Sequence, residues 1–346
     1  MVSQFEKEIY EQPAVLANFL DKNLNNVKAI ASIMRKYDPK FVLIAARGTS
    51  DNAAIYAKYL ISAFLQIPVG LAIPSLYTIF KQPPLMRNGL VIGISQSGES
   101  PDVLAVMEEA RKQSCPTLGI VNRIDSPLVQ FSDMILPLNC GEEKAVAASK
   151  THTAQLLAIA SLTAMWRTDS QLINNLSPLP DTINDALKTH QRIKEIAEEI
   201  KTHDRILIVG RGFTYCTTHE IALKIKELAY ISADPYSAAD FKHGPIALVE
   251  EGFPLVAIAP EGKAFETMHA LINEVKQIGA ETIIISNRLS LAQENPRFLP
   301  IPLDVPEWLS PIVTVVPGQL LALSLTVARG NDPDKPRSLK KVTHTY

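Results

Sequence analysis

The chain has 346 residues, a length that suits two domains of ordinary size. Apolar residues make up 47% and charged residues 20%, which is enough to bury a core and too apolar for a disordered chain. A net charge of −2, no long basic run and an aromatic share of 6% argue against a nucleic-acid partner.

Three cysteines, Cys115, Cys140 and Cys216, form an odd set without CxxC spacing. They suit neither a disulfide framework nor a zinc site and read as small buried apolar residues. The segment Met1 to Tyr10 is polar and charged, so it lacks the apolar stretch of an export signal. The most apolar late stretch, Ile312–Ala328, is interrupted by Pro317, Gly318 and Gln319, and reads as falling short of the roughly 18–20 residues a membrane span requires. The expectation is a soluble, cytoplasmic protein with no membrane partner.

In chain order, a helical segment over about Ala14–Tyr37 comes first. A β-branched run at 41–46 follows, then apolar residues at helical spacing over Asp51–Phe64, a strand-like run at 90–94, a helix over Pro101–Lys112 and a strand at 117–121. After a charged helical connector the pattern returns, with runs at 205–209, 254–259 and 282–286 and a helix over His219–Ile231. The polar tail from Gly330, with Pro333 and Pro336, reads as irregular.

The return is a repeat at an offset of about 164 residues. FVLIAARGTS at 41–50 matches RILIVGRGFT at 205–214, and GLVIGISQSGE at 89–99 matches FPLVAIAPEGK at 253–263. Asn122 closes one apolar run as Asn287 closes another, and QLLA occurs at 155–158 and 319–322. Short apolar strands alternating with helices imply βαβ units and a mainly parallel, doubly wound sheet in each copy. The predicted fold class is α/β with two tandem domains. The predicted boundaries are an N-terminal helical segment at 1–36, a first domain at 37–175, a helical connector at 176–200, a second domain at 201–328 and a tail at 329–346 closing over the site.

Open α/β sheets bind ligands at the carboxyl ends of their strands. The loop after the second run reads Ser95-Gln96-Ser97-Gly98-Glu99-Ser100 before a helix starting at Pro101. Hydroxyls, backbone N–H groups and a helix N-terminus together suit a phosphate dianion, although an ordinary serine-rich cap has the same composition. Neither a Walker loop nor GxGxxG is present, so a nucleotide is not implied. The second copy carries APEGKA at that place, which predicts one phosphate site per chain, in the first copy. Glu220, Lys224 and Glu227 share a helix face, which by itself also fits a surface ion pair. His243, within Phe241-Lys242-His243-Gly244-Pro245, sits on a turn where an imidazole can act as acid or base or serve structure alone. No histidine spacing suits a metal.

SQSGES at 95–100, VAASKTHTAQ at 146–155, ALKIKELAYISADPYSAADFKHGPIAL at 222–248 and PRSLKKVT at 336–343 together resemble the sugar isomerase (SIS) family. The resemblance is strongest to the isomerase half of glutamine–fructose-6-phosphate aminotransferase and to amino-sugar-phosphate deaminases. It implies two SIS domains and a phosphate site made of Thr49, Ser50, Ser95, Gln96, Ser97 and Ser100. Arg47 stands where the family usually has cysteine. The resemblance also implies sugar contacts near Val146, Ala148 and Ser149, with Ala148 where the family commonly has serine.

By the same resemblance Glu227 is the proton shuttle, Lys224 the nearby charge, His243 the ring-opening residue lent across a homodimer with shared sites, and Lys341 the tail lysine, with Lys340 beside it. A carboxylate within reach of C1 and C2 can move the proton, an amine can form an imine with the ketose, and cations stabilise the enediolate, so no metal or organic cofactor is required. The expected substrate is glucosamine 6-phosphate, converted to fructose 6-phosphate and ammonia. The alternatives are the isomerising component of the aminotransferase, using external ammonia or a separate glutaminase because no N-terminal cysteine nucleophile precedes the repeats, and a non-catalytic sugar-phosphate sensor. ARGTSDNAA at 46–54, DFKHGP and KKVTHT favour the stand-alone deaminase.

Overall fold

A computed structural model describes residues 2–341. The last residues of the expected tail, 342–346, lie outside the described residues. The chain forms two compact units: one comprises Ala14–Glu143, Lys150–Pro178 and the chain end from Lys340; the other comprises Met1–Pro13, Lys144–Ser149 and Leu179–Leu339.

The first unit holds a five-stranded parallel sheet of β1 (Phe41–Ala45), β2 (Val69–Leu71), β3 (Gly89–Ser95), β4 (Thr117–Val121) and β5 (Met134–Pro137), in the order β2-β1-β3-β4-β5. Ile44 pairs with Ile92, and Ile92 with Leu118. Every residue of β3 and β4 is buried, as expected of apolar runs with helices on both faces. The second unit repeats the plan with β6 (Arg205–Gly210), β7 (Ser232–Ser237), β8 (Pro254–Ile258), β9 (Glu281–Ser286) and β10 (Phe298–Pro300), ordered β10-β9-β8-β6-β7. Read from its other edge, this is the same order, so the repeat is a duplication of one doubly wound sheet.

The six apolar runs are strands within a residue or two of their expected ends. Four edge strands escaped the sequence reading. β2 and β10 have three residues each, β5 has four, and β7 reads SADPYS, with a proline that only an edge tolerates. The N-terminal helical segment expected at 1–36 consists of two helices, Gln4–Tyr10 and Gln12–Tyr37, where the pattern had placed a helix only over about Ala14–Tyr37. The expected helix over His219–Ile231 is α-helical over Tyr215–Lys224, widens into a single π turn at Ile225–Ala229, and stops where Tyr230 turns left-handed at φ 57°. The three cysteines are buried, as expected.

The late apolar stretch requires a correction. Pro317 and Gly318 do not interrupt it: one helix runs over Ser310–Ala328, 19 residues, within a stretch long and apolar enough by length and composition to cross a membrane. It is instead a core helix, with 89% of that apolar window buried inside the protein. Its apolar side chains surround the whole circumference because protein packs on every face. Gly318 is what permits the closest approach: a Cβ there would meet Ile221 Cγ1 at 2.2 Å and Cδ1 at 2.3 Å. Ile221 is fully buried and β-branched, so it has little room to swing aside.

Gly318→Ala should therefore destabilise the protein by about 1–3 kcal/mol through overpacking, although alanine is the better helix former by about 1 kcal/mol. Adding Ile221→Ala should recover part of the loss. Urea unfolding of the two variants checks both, and a Gly318→Ala protein more stable than wild type would refute the close-packing account.

Candidate active site

In the first unit, Gly48 (φ 56°) turns the chain out of β1 into the helix Thr49–Leu65, so Thr49 and Ser50 occupy its first turn. Ser50 is buried and its hydroxyl accepts a 2.9 Å bond from Gln155 Nε2. The 95–100 loop turns at Gly98 (φ 67°), where a Cβ would meet Ser126 Oγ at 2.0 Å, so only glycine fits. Ser95 Oγ accepts from the Gly98 amide at 2.9 Å and Ser97 Oγ from the Glu99 amide at 3.3 Å, which leaves both hydroxyl protons to donate elsewhere. Ser100 precedes the helix Pro101–Lys112, as expected, but its hydroxyl makes no capping bond.

The second copy resolves the same corner differently. Gly262, the counterpart of Gly98, has φ 153°, and the carboxylate of Glu307 sits against it. Glu307 Oε2 accepts from the Lys263 amide at 2.9 Å and Oε1 from the Ala264 amide at 3.0 Å, at the start of the helix Phe265–Ile278. These amides are the counterparts of those of Glu99 and Ser100. An internal anion thus fills the second copy's seat, whereas the serine-lined first copy carries no such carboxylate among the contacts described.

A cleft of about 840 Å³ in the first unit is lined by Gln96 and Ser97 of the loop, by Asn122 and Arg123 after β4, and by Glu143 and Lys341. Lys341, not its neighbour Lys340, lines the cleft, and its Nζ lies 3.3 Å from Glu143 Oε2. Glu143 is buried and also accepts from the amide and hydroxyl of Thr151, at 3.1 and 2.5 Å. Sequence reasoning missed Glu143; its one signal was a carboxylate just ahead of the matching VAASK stretch.

In the second unit, Lys224 is buried and its Nζ lies 2.5 Å from Glu227 Oε2 and 3.7 Å from Glu220 Oε1. The surface-pair reading is therefore wrong. The Lys224 and Glu220 side chains are 1% and 0% exposed, and only Glu227 reaches solvent, at 23%. The π turn begins immediately after Lys224 and carries Glu227. His243 is exposed, closing the short helix Ala238–Lys242 ahead of Gly244 (φ 145°), and no hydrogen bond or ion pair joins it to Glu227 among the described residues. Val146, Ala148 and Ser149 lie on a strap, Lys144–Ser149. The buried carboxylate of Glu8 accepts from the Lys144 and Ala145 amides, and Gln319 Nε2 donates to the Ser149 carbonyl at 3.3 Å. Val146 and Ala148 are partly accessible and Ser149 is buried. No cluster of three or more His, Cys, Asp or Glu suited to a metal occurs among the described residues.

Glu307→Ala should cost about 1–2 kcal/mol of unfolding free energy, because two helix-start amides lose a charged acceptor. Chemical denaturation checks this; a loss under about 0.3 kcal/mol would mean that solvent replaces the carboxylate fully.

A family model described as SIS domain matches residues 37–165 and 199–329. The isomerizing glutamine–fructose-6-phosphate aminotransferase of Pyrococcus horikoshii is 38% identical over 340 residues, covering 97% of this chain and 56% of that protein. The chain thus spans little more than half the length of the curated relatives it matches. Among solved structures, the C-terminal domain of glucosamine-fructose-6-phosphate aminotransferase from Francisella tularensis matches with a TM-score of 0.88 and 29% identity, covering 97% of this chain and 99% of that one. The glucosamine-6-phosphate deaminase of Thermotoga maritima matches with a TM-score of 0.82 and 26% identity, covering 99% and 100%. The two matched stretches contain the two duplicated sheets, and the chain belongs to the SIS domain family.

Proposed function

We propose that the chain is an isomerising sugar-phosphate enzyme acting on a 2-amino-2-deoxyhexose 6-phosphate, of the kind found in the isomerase half of glutamine–fructose-6-phosphate aminotransferase. The observation that carries this reading is the arrangement around Lys224, a buried ammonium between two carboxylates of which Glu227 alone is open to a ligand. A carboxylate at that place can take a proton from C2 and return it to C1.

The remaining roles follow residue by residue. Ser95, Gln96, Ser97 and Ser100, with Thr49 and Ser50, hold the 6-phosphate; a carboxylate already seated on the equivalent amides of the second copy supports that assignment. Lys341 is the amine for imine formation with the ketose, Val146, Ala148 and Ser149 border the sugar, and His243 assists ring opening. A homodimer with shared sites remains part of the proposal. The reaction needs no metal or organic cofactor: the C2 proton moves to C1, and in the degradative direction water displaces ammonia from the resulting ketimine to leave fructose 6-phosphate. Burial of the long apolar helix supports a soluble protein, which we assign to the cytoplasm.

The names of the curated relatives favour the aminotransferase type over the deaminase expected from ARGTSDNAA and DFKHGP. The Thermotoga maritima deaminase keeps the second reading in play, since the isomerisation step is common to both. One assay separates them. Ammonia release from glucosamine 6-phosphate, beside galactosamine 6-phosphate and a fructosyl-amine 6-phosphate, should be slower than the reverse amination of fructose 6-phosphate for the aminotransferase type, and faster for a deaminase. No turnover in either direction would favour a sensor.

Two variants test the roles. Glu227→Gln should bind the sugar phosphate normally and lose turnover by roughly a thousandfold or more, measured in steady-state assays; turnover within about tenfold of wild type would place the shuttle elsewhere. Replacing Ser95 and Ser97 together by Ala should weaken 6-phosphate ligands by roughly tenfold or more and leave neutral sugars unchanged. Calorimetry with phosphorylated and unphosphorylated sugars checks this, and an equal loss for both would indicate misfolding.

A further inference from the structure

The phosphate-loop corner of the first unit holds more acid than a dianion site should tolerate. Asp102 lies in the first turn of the helix that follows the serine loop, and its side chain is only 6% exposed. Asp51 lies in the first turn of the helix that carries Thr49 and Ser50. Burial raises the Asp51 carboxyl above its ordinary range, and the charge of Arg47 works against that rise. Two carboxylates beside two helix N-termini compete for the same positive dipole ends as a phosphate and repel it.

Arg47 is the cation placed to answer them. It precedes Gly48 at the end of β1, and its side chain is half exposed. Its Nε lies 2.8 Å and its Nη2 2.7 Å from Asp102 Oδ2. The second copy serves as an internal control. Arg211, at the same place in the repeat, reaches Ser237 Oγ at 3.3 Å and pairs with no carboxylate among the described residues. The counterpart of Asp51 is Tyr215, and that of Asp102 is Glu266, which is exposed. The paired arginine thus accompanies the serine-lined corner and is missing where Glu307 occupies the seat.

We propose that Arg47 is a positioning residue for phosphate recognition: by neutralising Asp102 and Asp51 it sets the charge of the corner so that the serine loop can accept a dianion. The proposal rests on the reading of that loop as the phosphate site. Arg47 acts through the two acids, and its removal exposes the ligand to their repulsion.

Calorimetric titration of the full chain with inorganic phosphate at pH 8, where phosphate is a dianion, tests this. Arg47→Ala should weaken phosphate binding by roughly tenfold or more, and Arg47→Gln, which keeps a hydrogen-bond donor near Asp102, should do the same without disturbing the fold. The double variant Arg47→Ala with Asp102→Asn should return to within about threefold of wild type, because one repelling charge has gone with the cation. Glucosamine without phosphate should show no such pattern. The proposal is overturned if both Arg47 variants bind phosphate as wild type does, or if the double variant remains as weak as Arg47→Ala, which would make Arg47 a direct contact. If Ser95→Ala with Ser97→Ala leaves phosphate binding unchanged, the phosphate-loop reading itself has failed, and this proposal fails with it.

Discussion

A helix that starts at the carboxyl edge of a parallel sheet presents backbone N–H groups that lack helical partners and must find acceptors. This chain meets that constraint in both copies of one fold. In the second copy Glu307 supplies a permanent carboxylate to the amides of Lys263 and Ala264. In the first copy the Ser95 and Ser97 hydroxyls accept from the Gly98 and Glu99 amides, which leaves both hydroxyl protons to donate elsewhere. The duplication thus separates a corner closed by an internal carboxylate from one lined by serine hydroxyls, and a handful of side chains makes the difference.

The same economy governs the charged groups. A buried ammonium is costly unless carboxylates surround it, and Lys224 lies between Glu220 and Glu227 on one helix. The π turn after Lys224 changes the helical phase at Glu227, whose carboxylate stays accessible while that of Glu220 is sealed. Glu143 plays the comparable part in the first unit, where its buried carboxylate is held by Thr151 and lies within reach of Lys341. In each case a buried acid orients a lysine, and the lysine's surroundings define what chemistry it can do.

Glycine and glutamine perform quieter tasks. Gly318 lets the core helix Ser310–Ala328 pack closely against Ile221. Next to it in sequence, Gln319 places its amide between Gln12 and the Ser149 carbonyl, which ties the Val146–Ser149 strap to that helix. The strap's backbone is held at its start by the carboxylate of Glu8. Residues expected to border a sugar are therefore positioned by polar groups that a hydrophobicity pattern treats as defects in the core.

The sequence by itself determined the duplication, the six central strands, the serine loop and the Glu220-Lys224-Glu227 face, because each depends on local period or on spacing along the chain. Edge strands such as SADPYS carried too little apolar pattern to be seen, since an edge needs little burial. Only the tertiary structure decided which groups are buried and which distant residues meet. Pro317 suggested an interruption, yet packing on all sides carries the helix through it. Glu307 lies 44 positions from Lys263, Asp102 lies 55 from Arg47 and Lys341 lies 198 from Glu143, so no local pattern could pair them. The physical reason is that charge pairing depends on distance through space, whereas sequence patterns report only the periodicity of a single element.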